Sequence, residues 1–238
     1  MPLLGRHQYQ PPDPYLGKYP FLTDGQILNI LAAGKNHAAY PEIILWWEAK
    51  KAKLSVKKAI IAADSGVENI FFQFMRSINS SANPWSHSGL MSSGLPNQSH
   101  GPVGTLKAVS YALGQLNEKI GTFNSVINRN PISSGADPYN HVWIFEFATA
   151  GGKALIAWND AGSTVDLSSH ILTPQVSVTP IITELDADYK PVIPTAAINA
   201  TDAIPLGDTP VFINKPNGSR QRPPQRSPRQ QLLRHPFQ

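Results

Sequence analysis

Hydrophobic periodicity changes character near residue 140 of this 238-residue chain, and that change limits the folds open to it. Ahead of the change, apolar residues recur at helical spacing. The spacing predicts a helix over 42–64, with Ile43, Ile44, Trp47, Leu54, Ala59, Ile61 and Ala62 on its apolar positions. Lys50, Lys51, Lys53, Lys57 and Lys58 form a cationic face expected to be solvated, and Ser65-Gly66 is a C-terminal stop. A shorter helix is expected over 26–33, stopped by Gly34, and another over 103–118 with Leu106, Val109, Leu113 and Leu116 on one face. Short apolar runs at 19–23 and 67–75 read as buried strands. After residue 140, apolar and polar residues alternate. Trp143, Phe145 and Phe147 oppose Val142, Ile144 and Glu146 along 141–149, and Ala150-Gly151-Gly152-Lys153 turns the chain into 154–158. Further short strands are expected at 164–167, 176–185, 196–199 and 210–214, separated by Pro and Gly, a β-sandwich pattern.

Charge narrows the class of partner. The net charge of +4 arises in the last 24 residues, where Lys215, Arg220, Arg222, Arg226, Arg229 and Arg234 meet no acid. The remaining 214 residues carry 14 basic and 16 acidic side chains, so a nucleic-acid partner is not expected for the folded body. The chain has no Cys, which excludes disulfides, thiolate metal sites and Cys nucleophiles. His37, His100, His141 and His170 lack metal-ligand spacing, and no phosphate-binding Gly loop or Gly-x-Ser-x-Gly elbow occurs. Neither a metal nor a cofactor is therefore expected. No apolar run reaches the ~18 residues of a membrane span. The first 15 residues lack an apolar core of signal-peptide length, so a cytoplasmic protein is expected from the chain as given. An extracellular or periplasmic location stays open for a longer parent.

Four stretches, in this order, resemble the C-terminal part of retaining (β/α)8-barrel glycoside hydrolases with an appended β-sandwich. Lys18-Tyr19-Pro20-Phe21-Leu22-Thr23-Asp24-Gly25 is similar to the family's seventh strand, which ends in Thr-Glu-x-Gly. The stretch 51–67, ending in Ala63-Asp64-Ser65-Gly66-Val67, resembles the next helix, and Asn69-Ile70-Phe71-Phe72-Gln73-Phe74 the eighth strand. The stretch 154–160, with Pro210-Val211-Phe212-Ile213, resembles two strands of the sandwich. The resemblance implies an α/β plus all-β fold, an incomplete C-terminal portion of a (β/α)8 barrel followed by a small antiparallel β-sandwich. Its expected divisions are an irregular lead-in at 1–17, barrel units at 18–122, a linker at 123–139, the sandwich at 140–214 and a basic tail at 215–238.

In such enzymes two carboxylates about 5–5.5 Å apart share the work, one protonating the leaving oxygen and one attacking the sugar carbon. The resemblance puts Asp24 at the nucleophile position; the residues alone also allow it to start a turn or a helix. The acid/base Glu follows an Asn at the end of strand four, and the one Asn-Glu pair here, Asn117-Glu118, falls in the last expected helix. About 105 barrel residues are present, whereas a closed barrel takes about 200 or more. The expected result is a glycoside-hydrolase-like protein without a full catalytic pair, whose partners are carbohydrate and a chain supplying the first barrel half. A non-catalytic carbohydrate-binding or structural sandwich is the alternative. Trp85 and His87 lie in the long loop 76–103 after the eighth strand. They are expected either to stack on and hydrogen-bond a sugar, or to be a tucked Trp and a solvated His. Gln73 is expected to point into the barrel as a third substrate contact.

Overall fold

The computed structural model describes residues 22–67, 87, 89–94, 101–129, 142–160, 176–192 and 206–214. Helices come first and an antiparallel sheet follows, in the order that the change of period predicts. Helix α1 spans Asp24–Ala33. Its N-cap is Thr23: Gln26 N donates to Thr23 Oγ1 at 3.3 Å, and Thr23 N donates to Gln26 Oε1 at 2.8 Å. This reciprocal pair is the capping box that a Thr-x-x-Gln sequence offers. Gly34 ends the helix at φ 60°, a conformation that costs glycine least.

Helix α2, Tyr40–Asp64, has Pro41 in its first turn, where the missing N–H costs nothing. It begins two residues before the expected start and stops at Ser65-Gly66, with Gly66 at φ 78°. Helix α3 is Ala108–Ile120, shorter at its start than the expected 103–118. Gly104 at φ 82° breaks helical geometry, and Lys107 N donates instead to Leu90 O at 2.9 Å. Val103 is consequently 62 % exposed, and Leu106 is exposed rather than part of the helix's packed face.

The sheet comprises β1 (Phe123–Asn128), β2 (Val142–Thr149), β3 (Gly152–Asn159), β4 (Ser177–Pro180) and β5 (Val211–Asn214). Its order is β1-β2-β3-β5-β4, with antiparallel neighbours throughout. The hairpin between β2 and β3 turns at Ala150-Gly151 and pairs Thr149 with Gly152, as the Gly pair predicts. Pro180 sits in β4, an edge strand, where a residue without an N–H is tolerated. The stretch 123–139 is not wholly a linker, because 123–128 supplies the edge strand β1. Phe123 and Val126 point into the core beside Phe147, and the Phe123 ring meets Phe147 edge-on at 5.1 Å. The expected strands at 164–167 and 196–199 and the tail lie outside the described residues, as does the strand expected at 67–75 except for Val67, which is 46 % exposed.

Both faces of the sheet are buried. On one, Phe145, Phe147, Ile156, Trp158 and Phe212 pack with Ala52, Val56 and Ile60 of α2 and Val109, Ala112 and Ile120 of α3. Trp143 lies opposite Trp158 in the register, and its ring stacks on Trp158 at 5.9 Å, with Phe145 stacked on the same indole at 5.5 Å. On the other face, Val142, Ile144, Ala157, Val211 and Ile213 pack with Val176, Val178 and Leu206. The helices and the sheet therefore share a core across the division expected between residues 122 and 140. Gln115 of α3 reinforces the junction: its Nε2 donates to Pro180 O at 3.1 Å, and its Oε1 accepts from Ile182 N at 2.9 Å. Among the described residues, no helix is long and apolar enough to cross a membrane.

Candidate functional site

Asp24 is the first residue of α1, directly after the Thr23 cap. The backbone at the expected nucleophile position is thus a helix start, and acids are favoured in a helix's first turn whatever else they do. Of the strand expected at 19–23, residues 19–21 lie outside the described residues, and Leu22 and Thr23 are not in a strand, Thr23 being the cap of α1; Gln73 and Trp85 also lie outside the described residues.

His87 is not the solvated side chain that one reading expected. It is 1 % exposed and enclosed between α1 and α2. Its Nε2 lies 3.1 Å from Leu31 O, and its ring stands 5.9 Å from Tyr40. A carbonyl only accepts, so Nε2 carries the proton. Burial holds the imidazole below its usual pKa and therefore neutral at neutral pH. A sugar hydroxyl could take over Nε2 only if the Leu31 contact opened. Leu31 is seven residues past Asp24, which at 1.5 Å per residue puts about 10 Å of helix between the two.

What His87 does reach is a buried charge cluster between α2 and the start of α3. Lys107, 2 % exposed, donates through Nζ to Glu48 Oε1 at 2.8 Å and to His87 O at 3.1 Å. Glu48 is 4 % exposed, and its Oε2 has no hydrogen-bond partner among the described residues. Lys51 donates through Nζ to His87 O at 3.2 Å and to Gly89 O at 2.5 Å. Burial draws the Lys51 amine down to about 8; Glu48 opposes this and Lys107 adds to it. Tyr40 is shifted the other way, above its usual range, by burial and then by Glu48. Leu90 O accepts from Ser110 Oγ at 2.6 Å, so three consecutive described carbonyls of this segment are held by side chains of α2 and α3 or by the α3 cap.

A second polar cluster lies at the other end of the α2–sheet contact. Lys53 and Lys57, each 7 % exposed, do not belong to a solvated cationic face. Lys53 Nζ meets Asp208 Oδ2 at 3.1 Å; Lys57 Nζ meets Asp160 Oδ1 at 2.7 Å and also Asp208 Oδ1. Trp143 Nε1 donates to Asp160 Oδ2 at 2.9 Å. The lysine stems lie along the apolar face of the sheet and their ammoniums reach carboxylates at its rim, the snorkelling geometry of long cationic side chains. Of the five lysines, Lys58 is the exposed one, while Lys50 lies 4.6 Å over the Trp46 ring. Trp46 is buried and Trp47 partly so, the split expected for adjacent helical residues.

Glu48, Lys107, Asp160 and Asp208 carry these clusters, and none was singled out from the sequence. Glu48 had a readable signal, since it falls four residues before Ala52 and four after Ile44 on the buried side of α2. The two aspartates, in turns distant in sequence from α2, had none. Among the described residues, no group of three or more His, Cys, Asp or Glu could hold a metal ion. Neither any protein-family model nor any curated protein matches the chain.

Proposed function

We propose that this chain is the C-terminal wall of a glycoside-hydrolase-like (β/α)8 barrel together with its supporting β-domain, and that alone it does not hydrolyse glycosides. The support is the way the resembling stretches meet. Strand β3 contains the run Ala154–Trp158 and β5 the Val211-Phe212-Ile213 that follows Pro210, the two stretches that resemble sandwich strands, and they pair directly, Leu155 with Ile213, Ile156 with Phe212 and Ala157 with Val211. The helix ending in Ser65-Gly66-Val67 packs on the same sheet through Ala52, Val56 and Ile60. In this reading, α2 and α3 are the last barrel helices and the sheet is one layer of the appended sandwich.

Chemistry sets the limit on activity. Retaining hydrolysis needs a proton donor and a nucleophile about 5–5.5 Å apart. Asp24 is the sole candidate nucleophile, one methylene shorter than the Glu of the family, and Asn117-Glu118 lies on the exposed end of α3. The acid/base Glu would come from residues outside this sequence, with carbohydrate as the substrate class. A freely standing carbohydrate-binding module over 140–214 is disfavoured, because its aromatic face is covered by α2 and α3.

The test is complementation. The purified chain, assayed with aryl glycosides, is expected to give no turnover. Mixed with a barrel half bearing the Asn-Glu strand, it is expected to recover activity that Asp24→Ala abolishes. Hydrolysis by the chain unaided, or recovered activity untouched by Asp24→Ala, would refute the assignment.

A further inference from the structure

Strand β1 is one outer edge of the sheet. Arg129 N donates to Ile144 O at 2.7 Å, and the register pairs Asn128 with Phe145, Ile127 with Glu146 and Val126 with Phe147. Successive residues of an antiparallel strand turn their backbone groups to opposite sides, so Ile127 bonds towards β2 and Val126 points away from it. The Val126 N–H and C=O have no partner among the described residues. Edges are ordinarily blunted by Lys, Pro, inward charges or bulges. Residues 123–128, Phe-Asn-Ser-Val-Ile-Asn, hold no charge and no Pro. A bulge bends the start of β1 between Phe123 and Ser125, but the run from Ser125 onward is regular. Ser125 is exposed, and Ile127 is 43 % exposed. The opposite edge is guarded, since β4 has four residues and one of them is Pro180.

We propose that β1 is a self-association edge, pairing antiparallel with β1 of a second copy of this chain about a two-fold axis at Val126. Each Val126 N–H then donates to the Val126 carbonyl of the other copy, which satisfies the groups left open at the edge. Ser125 faces the partner's Ile127 as a non-hydrogen-bonded pair, the class with the closer side chains. A small residue opposite a large one covers Ile127 without crowding. Charge selects the occupant. The strand is uncharged, so two copies meet without like-charge repulsion, and the cation that follows it, Arg129, is already engaged by Glu146 at 3.3 Å. The contact uses the same surface on both copies and β4 offers no second open edge, so assembly closes at the dimer. This role is independent of any glycosidase activity.

The experiment has two arms, both on the full chain. In sedimentation velocity from about 5 µM to about 1 mM, the weight-average mass is expected to rise towards twice that of one chain and stop there. One strand pair buries less than the roughly 1,200 Å² of a lasting interface, so half-association is expected on the order of 100 µM. Ile127→Lys, which puts a charge on an exposed edge position, is expected to weaken association at least about tenfold while leaving the melting temperature unchanged. The second arm reads the register. The chain has no Cys, so single Cys variants report without background. Directly opposed residues of a non-hydrogen-bonded pair lie about 4.5 Å apart at Cα, within disulfide reach, whereas diagonal ones lie about 7–8 Å apart. Ser125→Cys mixed with Ile127→Cys and oxidised with diamide is therefore expected to cross-link at least about tenfold faster than either variant alone. A chain that stays monomeric to about 1 mM, growth past the dimer, association indifferent to Ile127→Lys, or a mixture that cross-links no faster than its components would overturn the assignment.

Discussion

Glu48 and Lys107 meet in a setting where each depends on the other. Both are almost fully enclosed, so a charge left alone there would lack water as well as a partner. Removing one member is expected to cost about 3–5 kcal/mol, most of it the penalty of stranding the other. Glu48→Ala or Lys107→Met should thus lower the urea midpoint strongly. The double variant Glu48→Leu with Lys107→Met should recover most of the loss, because it removes both charges and the unpartnered Glu48 Oε2. A double variant as unstable as the worse single one would show that the pair contributes more than mutual neutralisation. The same cluster predicts acid sensitivity. His87 has a lowered folded-state pKa, from burial first, so the folded chain favours the neutral ring. Stability is complete above the unfolded value of about 6.5 and falls as pH drops towards the folded value. Asp208 is also lowered: burial pushes its carboxyl up, but Lys57 and Lys53 together outweigh that. Its contribution is present above about 3.9 and is lost as pH falls through the folded value. Melting temperature should therefore decline in two stages on acidification. His87→Gln should flatten the stage that begins below about pH 6.5, and Asp208→Asn the stage that begins below about pH 3.9.

Helix α2 illustrates how much an element reveals of itself. Its existence and its stop at Ser65-Gly66 were legible, because a helical pattern running from 42 to 64 and ended by Gly has few other solutions. Its orientation was misread. Leu54 and Ile61 looked like core positions but are 43 % and 39 % exposed, while Lys53 and Lys57 looked like surface and are buried. The buried stripe runs through Ala49, Ala52, Lys53, Val56, Lys57 and Ile60, spaced by three and four residues. Hydrophobicity alone rejects that stripe because of its two lysines. They fit there because Asp160 and Asp208 wait at the rim of the sheet, and no local pattern in α2 announces those partners. The site was less legible still: His87 could be placed in a loop, but its enclosure against Leu31 and Tyr40 depends on tertiary packing. Substitution distinguishes the two assignments of the helix. Ile60→Ala is expected to cost about 2–5 kcal/mol through the cavity it leaves, whereas Leu54→Ala should stay within about 0.5 kcal/mol. Denaturant titration of both variants checks this; equal costs would mean that the exposed face of α2 is covered in solution.

At the scale of the molecule, the shared core makes the helices and the sheet interdependent. Phe145, Phe147, Trp158 and Phe212 are 0–1 % exposed, and α2 and α3 supply much of their cover. Burying a large apolar side chain is worth roughly 1.5–3 kcal/mol, so uncovering four of them forfeits about 6–12 kcal/mol, comparable with the ~5–15 kcal/mol that holds a whole domain. A fragment of residues 140–214 also lacks β1, which pairs with β2 from Phe123 to Asn128. It is therefore expected to lack near-UV circular dichroism from its Trp residues, to show poor dispersion in amide NMR spectra and to melt without a cooperative transition. A fragment of residues 22–214, which keeps α1–α3 and β1–β5, should give a single sigmoidal transition followed equally by Trp fluorescence and by far-UV ellipticity. Cooperative melting of 140–214 alone would mean that the sheet's opposite face, built on Val142, Ile144, Val178 and Ile213, suffices to hold it, and the helices would then be an attachment rather than half of the core.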